Sequence, residues 1–371
     1  MCVLALMPQR YHGGGGIAQY CRDFLSALSA SEDVDRIDIV ARDSSLGRRF
    51  RDGCIRELCV SRTIMGFATA ALSAALFVRP RLVVCAHIHH LPVAYLAAKL
   101  GRSKIVLLVY GVEAWSPPGG PWYRWAIERV DCIIPISRYT RQRILDWADI
   151  EWFRLKIAPN AVPREFSASP YRSAHVVNKA EIQRKTKRKI LTIGRILKSE
   201  RYKGHDRVIL VLSRLLRHWP GLKYVIAGSG DGVDELRQLA ETCGVSENVE
   251  FVGHVDEAEK WRLYREADVF VMPSTGEGFG FVFLEAAAQG LPVIGASVAG
   301  SLDALREGRL GRCVDPENLD ALEEALEQCL QGGGFPDAEE LRKYCFSNYC
   351  RHILDCVLAT GCDDNPGVHY Q

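Results

Sequence analysis

Pro273-Ser274-Thr275-Gly276-Glu277-Gly278-Phe279-Gly280-Phe281-Val282-Phe283-Leu284-Glu285-Ala286-Ala287-Ala288 sets two carboxylates eight positions apart around a glycine-flanked helix start. Just before it, Val269-Phe270-Val271-Met272-Pro273 reads as a buried strand closed by proline. Gly278 and Gly280 permit a sharp turn, and from Phe281 onward the spacing is helical. Amide groups at such a helix start face outward, and the helix dipole favours an anion there. Glu277 in the loop and Glu285 about two turns into the helix can both face a ligand lying over that start, one reaching sugar hydroxyls and the other a ribose. The plainer alternative is a capping carboxylate at Glu277 and a solvated helix residue at Glu285. Against it, Glu285 sits in an apolar run where an unpartnered carboxylate is costly, so a polar partner is expected.

The same strand-turn-helix unit recurs outward in both directions. Strand-like runs at 3–7, 37–41, 82–85, 105–110 and 132–136 alternate with helix-like runs at 16–29, 64–77, 92–100, 122–129 and 138–147. A second series has strands at 190–193, 223–227, 249–252, 269–272 and 293–295, with helices at 206–219, 233–243, 258–265, 281–289, 301–307 and 319–330. Alternation of this kind predicts parallel sheets covered on both faces. A chain of 371 residues with 48% hydrophobic content suits two packed domains better than one core. The polar, lysine-rich interval 175–189 lacks either periodicity and puts the junction near 165–185. The expected organisation is α/β: domains 1–170 and 171–337 facing a central cleft, then 338–371, where a helix over 338–358 crosses back onto the first domain before a disordered tail.

Residues 1–165 carry 22 Lys and Arg against 15 Asp and Glu, and the remainder 25 against 30. The arginine-rich first half suits an anionic partner such as a lipid diphosphate or a membrane face, or is a solubilising surface; no nucleic-acid partner is expected. Thirteen cysteines, an odd number with no Cys-x-x-Cys pair, argue against a disulfide framework or zinc site and fit a reduced, cytoplasmic protein with mostly buried thiols. The apolar window 64–78 falls short of the roughly 18 residues of a membrane span and predicts a buried or membrane-surface helix.

Sheets of this class bind ligands beyond the carboxyl ends of their strands. There lie Arg195, in Thr192-Ile193-Gly194-Arg195, and Lys203, in Arg201-Tyr202-Lys203-Gly204. Such a pair can clamp a diphosphate and stabilise it as a leaving group; a lone surface charge is the alternative for each. Gly228, in Gly228-Ser229-Gly230-Asp231-Gly232, allows close approach of a base or ribose or is a plain strand-to-helix turn. His254-Val255 can pack against a nucleobase, or His254 is an ordinary loop histidine. In the first half, Gly13-Gly14-Gly15-Gly16 opens a helix without the spaced dinucleotide fingerprint, and its unhindered amides favour a phosphate or a transferring sugar, with a floppy loop that holds no ligand as the alternative. His87, His89 and His90 lack the acidic companions of a metal centre; His87 or His89 is expected on the acceptor or sugar side, with local packing as the alternative. Tyr110, in Tyr110-Gly111-Val112-Glu113, ends another strand. Asp33-Val34-Asp35 lies in a polar linker, so no catalytic metal and no cofactor is expected.

In the order Gly194-Arg195, Lys203-Gly204, Gly228-Ser229-Gly230, Glu277-Gly278-Phe279-Gly280, Glu285 and Ala287-Ala288-Gln289-Gly290-Leu291-Pro292, the chain resembles retaining glycosyltransferases of family 4 with the glycosyltransferase B fold, two Rossmann-like domains. That resemblance implies catalytic roles for Glu277, Arg195 and Lys203, with Arg195 and Lys203 on the donor diphosphate. It places Glu285 on the ribose and Glu277 on the sugar hydroxyls. Donor contacts are implied also for Gly278, the main chain of Phe279 and Gly280, and Gly15 and Gly16. The chain departs at Tyr110, where many members carry histidine beside the reacting sugar. The implied activity is metal-independent, retaining transfer of a hexose from a UDP- or GDP-sugar to a glycan or lipid-linked acceptor in surface polysaccharide or glycoconjugate synthesis, at the cytoplasmic membrane face. Rival readings are a nucleotide-sugar epimerase or phosphorylase of the same fold, or a silent sugar-nucleotide-binding protein.

Overall fold

The computed structural model describes residues 1–44, 50–163 and 188–358; the expected junction at 165–185 and the tail from Thr360 lie outside them. The chain divides into two compact units, Met1–Asn160 with Ser347–Gln371, and Ala161–Phe346.

In the first unit the order is β1 (Cys2–Met7), α1 (Gly16–Ser29), β2 (Arg36–Arg42), β3 (Arg51–Asp52), β4 (Ile55–Ser61), α2 (Ile64–Val78), β5 (Leu82–Cys85), α3 (Leu91–Gly101), β6 (Lys104–Val109), α4 (Pro121–Ile127), β7 (Cys132–Pro135) and α5 (Arg138–Leu145). The sheet runs β3-β4-β2-β1-β5-β6-β7, parallel except for β3 against β4. Its strands β1, β5 and β6 are near-continuous apolar runs because both faces are covered. β4 escapes a reading by hydropathy because charged side chains interrupt it, yet each is partnered. Arg56 meets the fully buried Asp38, while buried Glu57 accepts from Arg10 at 3.0 Å and from the amides of Tyr11 and Phe50 at 3.0 and 2.9 Å.

The second unit contains β8 (Lys189–Ile193), α6 (His205–Leu215), β9 (Lys223–Ala227), α7 (Val233–Thr242), β10 (Val249–Gly253), α8 (Glu257–Glu266), β11 (Val269–Met272), α9 (Phe281–Ala288), β12 (Val293–Ala296), α10 (Gly300–Ala304), β13 (Arg312–Val314), α11 (Leu319–Leu330) and α12 (Ala338–Arg342). Its sheet is wholly parallel, in the order β10-β9-β8-β11-β12-β13. Each unit has its own apolar core between sheet and helices.

Where one helix is expected over 338–358, the structure has two. Asp337 caps α12, whose Glu340 is held by Arg306, Arg309 and Lys343 within the second unit. The chain then breaks before α13 (Phe346–Leu358), which packs with the first unit. There His352 Nε2 lies 2.6 Å from the Ile157 carbonyl, and Lys156 donates to the Cys356 carbonyl at 3.0 Å. The described cysteines are all unbonded thiols, but only five are buried and seven are half-buried, fewer buried than expected. Of the half-buried ones, Cys54, Cys243 and Cys345 lie in turns or at element ends, and Cys2, Cys59, Cys313 and Cys350 on strands or the last helix.

Candidate functional site

Because β10, β9, β8, β11 and β12 are adjacent and parallel, the segments leaving their carboxyl ends stand side by side. These are His254, Gly228, Gly194-Arg195, Pro273 to Gly280, and Ser297 to Gly300. Main-chain bonds lace three of them together. Gly228 N–H donates to Gly253 at 2.7 Å, Gly194 N–H to Ala227 at 3.0 Å, Ile196 N–H to Ser229 at 3.1 Å and Gly232 N–H to Ile196 at 2.9 Å. Gly228 has φ 150°, and a Cβ there would lie 1.8 Å from the Gly194 carbonyl oxygen. This turn is therefore a tightly packed rail rather than a flexible loop. His254 is exposed on its flank and Val255 half-buried.

Lys203 reaches across this edge. Its chain runs beside Gly194, and its Nζ donates to Glu277 Oε1 at 2.8 Å, the two side chains being 12% and 14% exposed. The reach is set by Gly204, at φ 77°, where a Cβ would meet the Pro273 carbonyl at 2.7 Å, and by the Thr275 amide donating to the Tyr202 carbonyl at 2.8 Å. Burial works against the Lys203 ammonium, but the Glu277 carboxylate outweighs it and holds the pKa above the usual lysine range. Arg195, by contrast, stays largely in solvent and pairs with Glu200. His205, next along the chain, is buried; burial, then the Lys203 charge, pulls its imidazole down to about 4.

The start of α9 is a bare amide terminus. Gly280 occupies the N-cap at φ 91° with no side-chain cap. Gly278 presses its carbonyl against Gly300, where a Cβ would sit 2.0 Å away, and the Gly300 amide donates to the Glu277 carbonyl at 2.9 Å. Phe279 is buried beside Tyr344. Glu285, 1% exposed, is met on both oxygens: Lys260 donates to Oε1 at 2.6 Å and the Tyr264 hydroxyl to Oε2 at 2.9 Å. Burial pushes its carboxyl up, against the pull of Lys260. Lys260 and Tyr264, one turn apart on α8, are the polar partners that the apolar run around Glu285 demanded. Nothing in their own segment singled them out.

In the first unit, Gly15 caps α1 at φ 89°, and the positions of Gly14, Gly15 and Gly16 open onto empty space. Arg22 ties the loop down through the Tyr11 and Gly13 carbonyls, at 3.2 and 2.6 Å. His87 accepts from the His89 amide at 3.2 Å, and His89 is exposed with its ring 4.9 Å from that of His87. Burial holds His87 at about 4 and His90 at about 3, both neutral at physiological pH. Tyr110 is buried and donates its hydroxyl to the Ala86 carbonyl at 2.9 Å, with Cys21 Sγ 3.1 Å away. Its amide and that of Gly111 donate to Glu113 Oε1 at 2.6 and 3.1 Å.

Two family models match the chain, one described as Glycosyl transferases group 1 over residues 177–347, the other as Glycosyltransferase Family 4 over residues 14–166. A Mycobacterium tuberculosis protein named GDP-mannose-dependent alpha-(1-6)-phosphatidylinositol monomannoside mannosyltransferase is 29% identical over 257 residues, which are 64% of this chain and 64% of that relative. An uncharacterized glycosyltransferase of Methanocaldococcus jannaschii is 36% identical over 167 residues, 45% of this chain and 40% of its own length. Among solved structures, Anabaena HepE in complex with UDP superposes with a TM-score of 0.67 at 17% identity, over 96% of this chain and 95% of its own. Sucrose-phosphate synthase from Thermosynechococcus elongatus gives 0.70 at 18% identity, again over 96% and 95%. At such identities the likeness is one of fold, the glycosyltransferase B fold.

Proposed function

We infer from this chain's membership of the family 4-like glycosyltransferases that it moves a hexose from a nucleoside diphosphate sugar, with UDP or GDP as the carrier, to a hydroxyl of a glycan or lipid-linked acceptor. The observation that carries this most is the Lys203–Glu277 pair at the shared edge of β8 and β11, next to the uncapped start of α9. As the bond between the sugar's anomeric carbon and the diphosphate breaks, its electrons go to the departing phosphate oxygen. The Lys203 ammonium and the α9 amides offer that oxygen fixed positive charge, with Arg195 able to leave Glu200 for it, so no metal is assigned a step. Glu277 would accept from the sugar hydroxyls. Retention follows if the acceptor oxygen bonds to the anomeric carbon on the face the diphosphate leaves, its proton passing to the departing oxygen.

Glu285 would take the ribose hydroxyls as further donors, since each carboxylate oxygen has a lone pair beyond those facing Lys260 and Tyr264. Gly228 and the His254-Val255 edge would line the base, and Gly278, Phe279 and Gly280 the diphosphate and sugar. Of the first unit's residues, Gly15 and Gly16 would offer amides to the donor, and His87 and His89 polar contacts on the acceptor or sugar side. Tyr110 supplies ring and main chain, its hydroxyl being engaged by Ala86. We place the reaction in surface polysaccharide or glycoconjugate synthesis at the cytoplasmic face of a membrane.

The test is a thermal-shift panel of nucleoside diphosphates and their sugars, followed by transfer to an acceptor panel with the product anomer read by NMR. A donor that raises the melting point and yields an α-linked product from an α-linked donor supports the reading. Donor consumption without acceptor would favour an epimerase, dependence on inorganic phosphate a phosphorylase, and binding without turnover a silent binder.

A further inference from the structure

The helix α2 carries no charged residue along Ile64–Val78 and is apolar nearly all the way round. A helix of that composition belongs in a core or against lipid. Only one side of it is covered: Phe67, Ala71, Ala74 and Ala75 pack inward, while Met65 at 73% and Phe77 at 89% exposure, with Ile64 and Leu76, face outward beside the small hydroxyls of Thr69 and Ser73, that of Thr69 turned back onto the Met65 and Gly66 carbonyls. Its neighbour α3 adds exposed Leu96 and Leu100, and α4, packed on α3, adds Trp122 and Trp125. Single exposed apolar residues are ordinary, but a band spread over three adjacent helices is not.

The charge around this band has one sign. From Leu58 to Val112 the sequence has no Asp or Glu, yet it holds Arg62, Arg79, Arg81, Lys99, Arg102 and Lys104. Arg79 and Arg102 terminate α2 and α3, and Lys99 lies over the Tyr95 ring. Glu128, the C-cap of α4, is paired with Arg124 and Arg129, the latter stacked on Trp125. Apolar side chains and indoles that can enter the acyl boundary, fringed by cations on flexible stems, match an anionic lipid surface. A protein partner would have to be acidic and apolar over the same area. Among the described residues no helix is long and apolar enough to cross a membrane, and α2 has 15 residues.

We propose that the outer face of α2, α3 and α4 is a docking surface for an anionic lipid bilayer, with Met65, Leu76, Phe77 and Leu100 entering it and Arg79, Lys99 and Arg102 meeting its headgroups. This deepens the placement of the protein at a membrane face, but its test needs no sugar transfer. The full chain is floated with vesicles of phosphatidylcholine alone and of phosphatidylcholine mixed with phosphatidylglycerol. Wild type should float with the mixed vesicles and stay behind with the neutral ones. Met65→Ser combined with Phe77→Ser should abolish flotation. Lys99→Gln combined with Arg102→Gln should weaken it by about 30-fold, from roughly 1 kcal/mol per basic residue at an anionic surface. All variants alter exposed positions, so each should keep the wild-type melting point and its rise with a nucleoside diphosphate. Failure of wild type to bind the mixed vesicles, or undiminished binding of either double variant, overturns the proposal while leaving the donor site standing. A concentration-dependent dimer in sedimentation velocity that Phe77→Ser abolishes, without vesicle binding, would assign the face to a second copy instead.

Discussion

Lys203→Met keeps the reach of the side chain and removes its charge, so it separates the two things the Lys203–Glu277 pair does. Breaking a buried pair from one side costs about 3–5 kcal/mol, but both partners here still touch water, and screening brings the expected loss to about 1–2 kcal/mol. For a unit of this size that is a fall in Tm of roughly 2–8 °C. The effect on transfer should be larger. A preorganised donor aimed at developing negative charge is worth about 10²–10³ in turnover, or roughly 2.7–4 kcal/mol. The assay is kcat and kcat/KM for donor at saturating acceptor, with Tm measured on the same preparations. The pair's stability is fully present below the unfolded lysine value of 10.5 and is lost only as pH rises through the raised folded value, so measurements at neutral pH see it at full strength. Glu277→Gln and the double variant close a cycle; the double should recover part of the Tm and none of the turnover. Turnover within a few-fold of wild type, or a collapse of Tm large enough to explain the loss by unfolding, would refute the reasoning.

Three further outcomes can be checked in parallel. Lys260→Met strands the Glu285 carboxylate, so urea unfolding at neutral pH should show a loss on the order of 3–5 kcal/mol; because burial already raises that carboxyl, the deficit relative to wild type should shrink as pH falls through its raised value, and a constant deficit would contradict the pairing. Gly228→Ala would drive a Cβ into the Gly194 carbonyl, and is expected to abolish the thermal shift by nucleoside diphosphates while lowering Tm; retained nucleotide response would mean the rail is not part of the site. His205 and His87 are held at about 4 and His90 at about 3 by burial. Their neutral forms therefore stabilise above the unfolded value of 6.5, and stability should drain as pH falls from 6.5 toward 4, by up to about 1.4 kcal/mol per pH unit per histidine. His205→Gln should flatten that slope in chemical denaturation series, and an unchanged slope would show that His205 is already charged in the fold.

The parallel-sheet design was legible because buried strands such as Leu82–Cys85 and Val269–Met272 are uninterrupted apolar runs, while helices such as Leu319–Leu330 show a clear stripe. β4 was not, since Arg56 and Glu57 break its hydropathy and their partners Asp38 and Arg10 are distant in sequence. β13 has only three residues, too few for any period. The break between α12 and α13 was hidden because α12, with five residues, is too short to show a stripe of its own and no proline or glycine separates it from the amphipathic α13; the clamp on Glu340 comes from Arg306 and Arg309, over thirty residues earlier. At the site, the glycines and acids of 273–288 announce a helix start, but the carboxylates' companions do not follow from spacing. Lys203 reaches Glu277 through the pairing of β8 with β11, and Lys260 with Tyr264 reaches Glu285 across the two helices that precede and follow β11.

The central claim, that the carboxyl edge of the second sheet grips a diphosphate through cations, is tested most directly by calorimetric titration of the protein with UDP, GDP and the matching monophosphates. One diphosphate should bind more tightly than its monophosphate, and Lys203→Met combined with Arg195→Met should erase that difference while leaving the monophosphate's affinity nearly unchanged. Equal binding of diphosphate to wild type and to the double variant would contradict it.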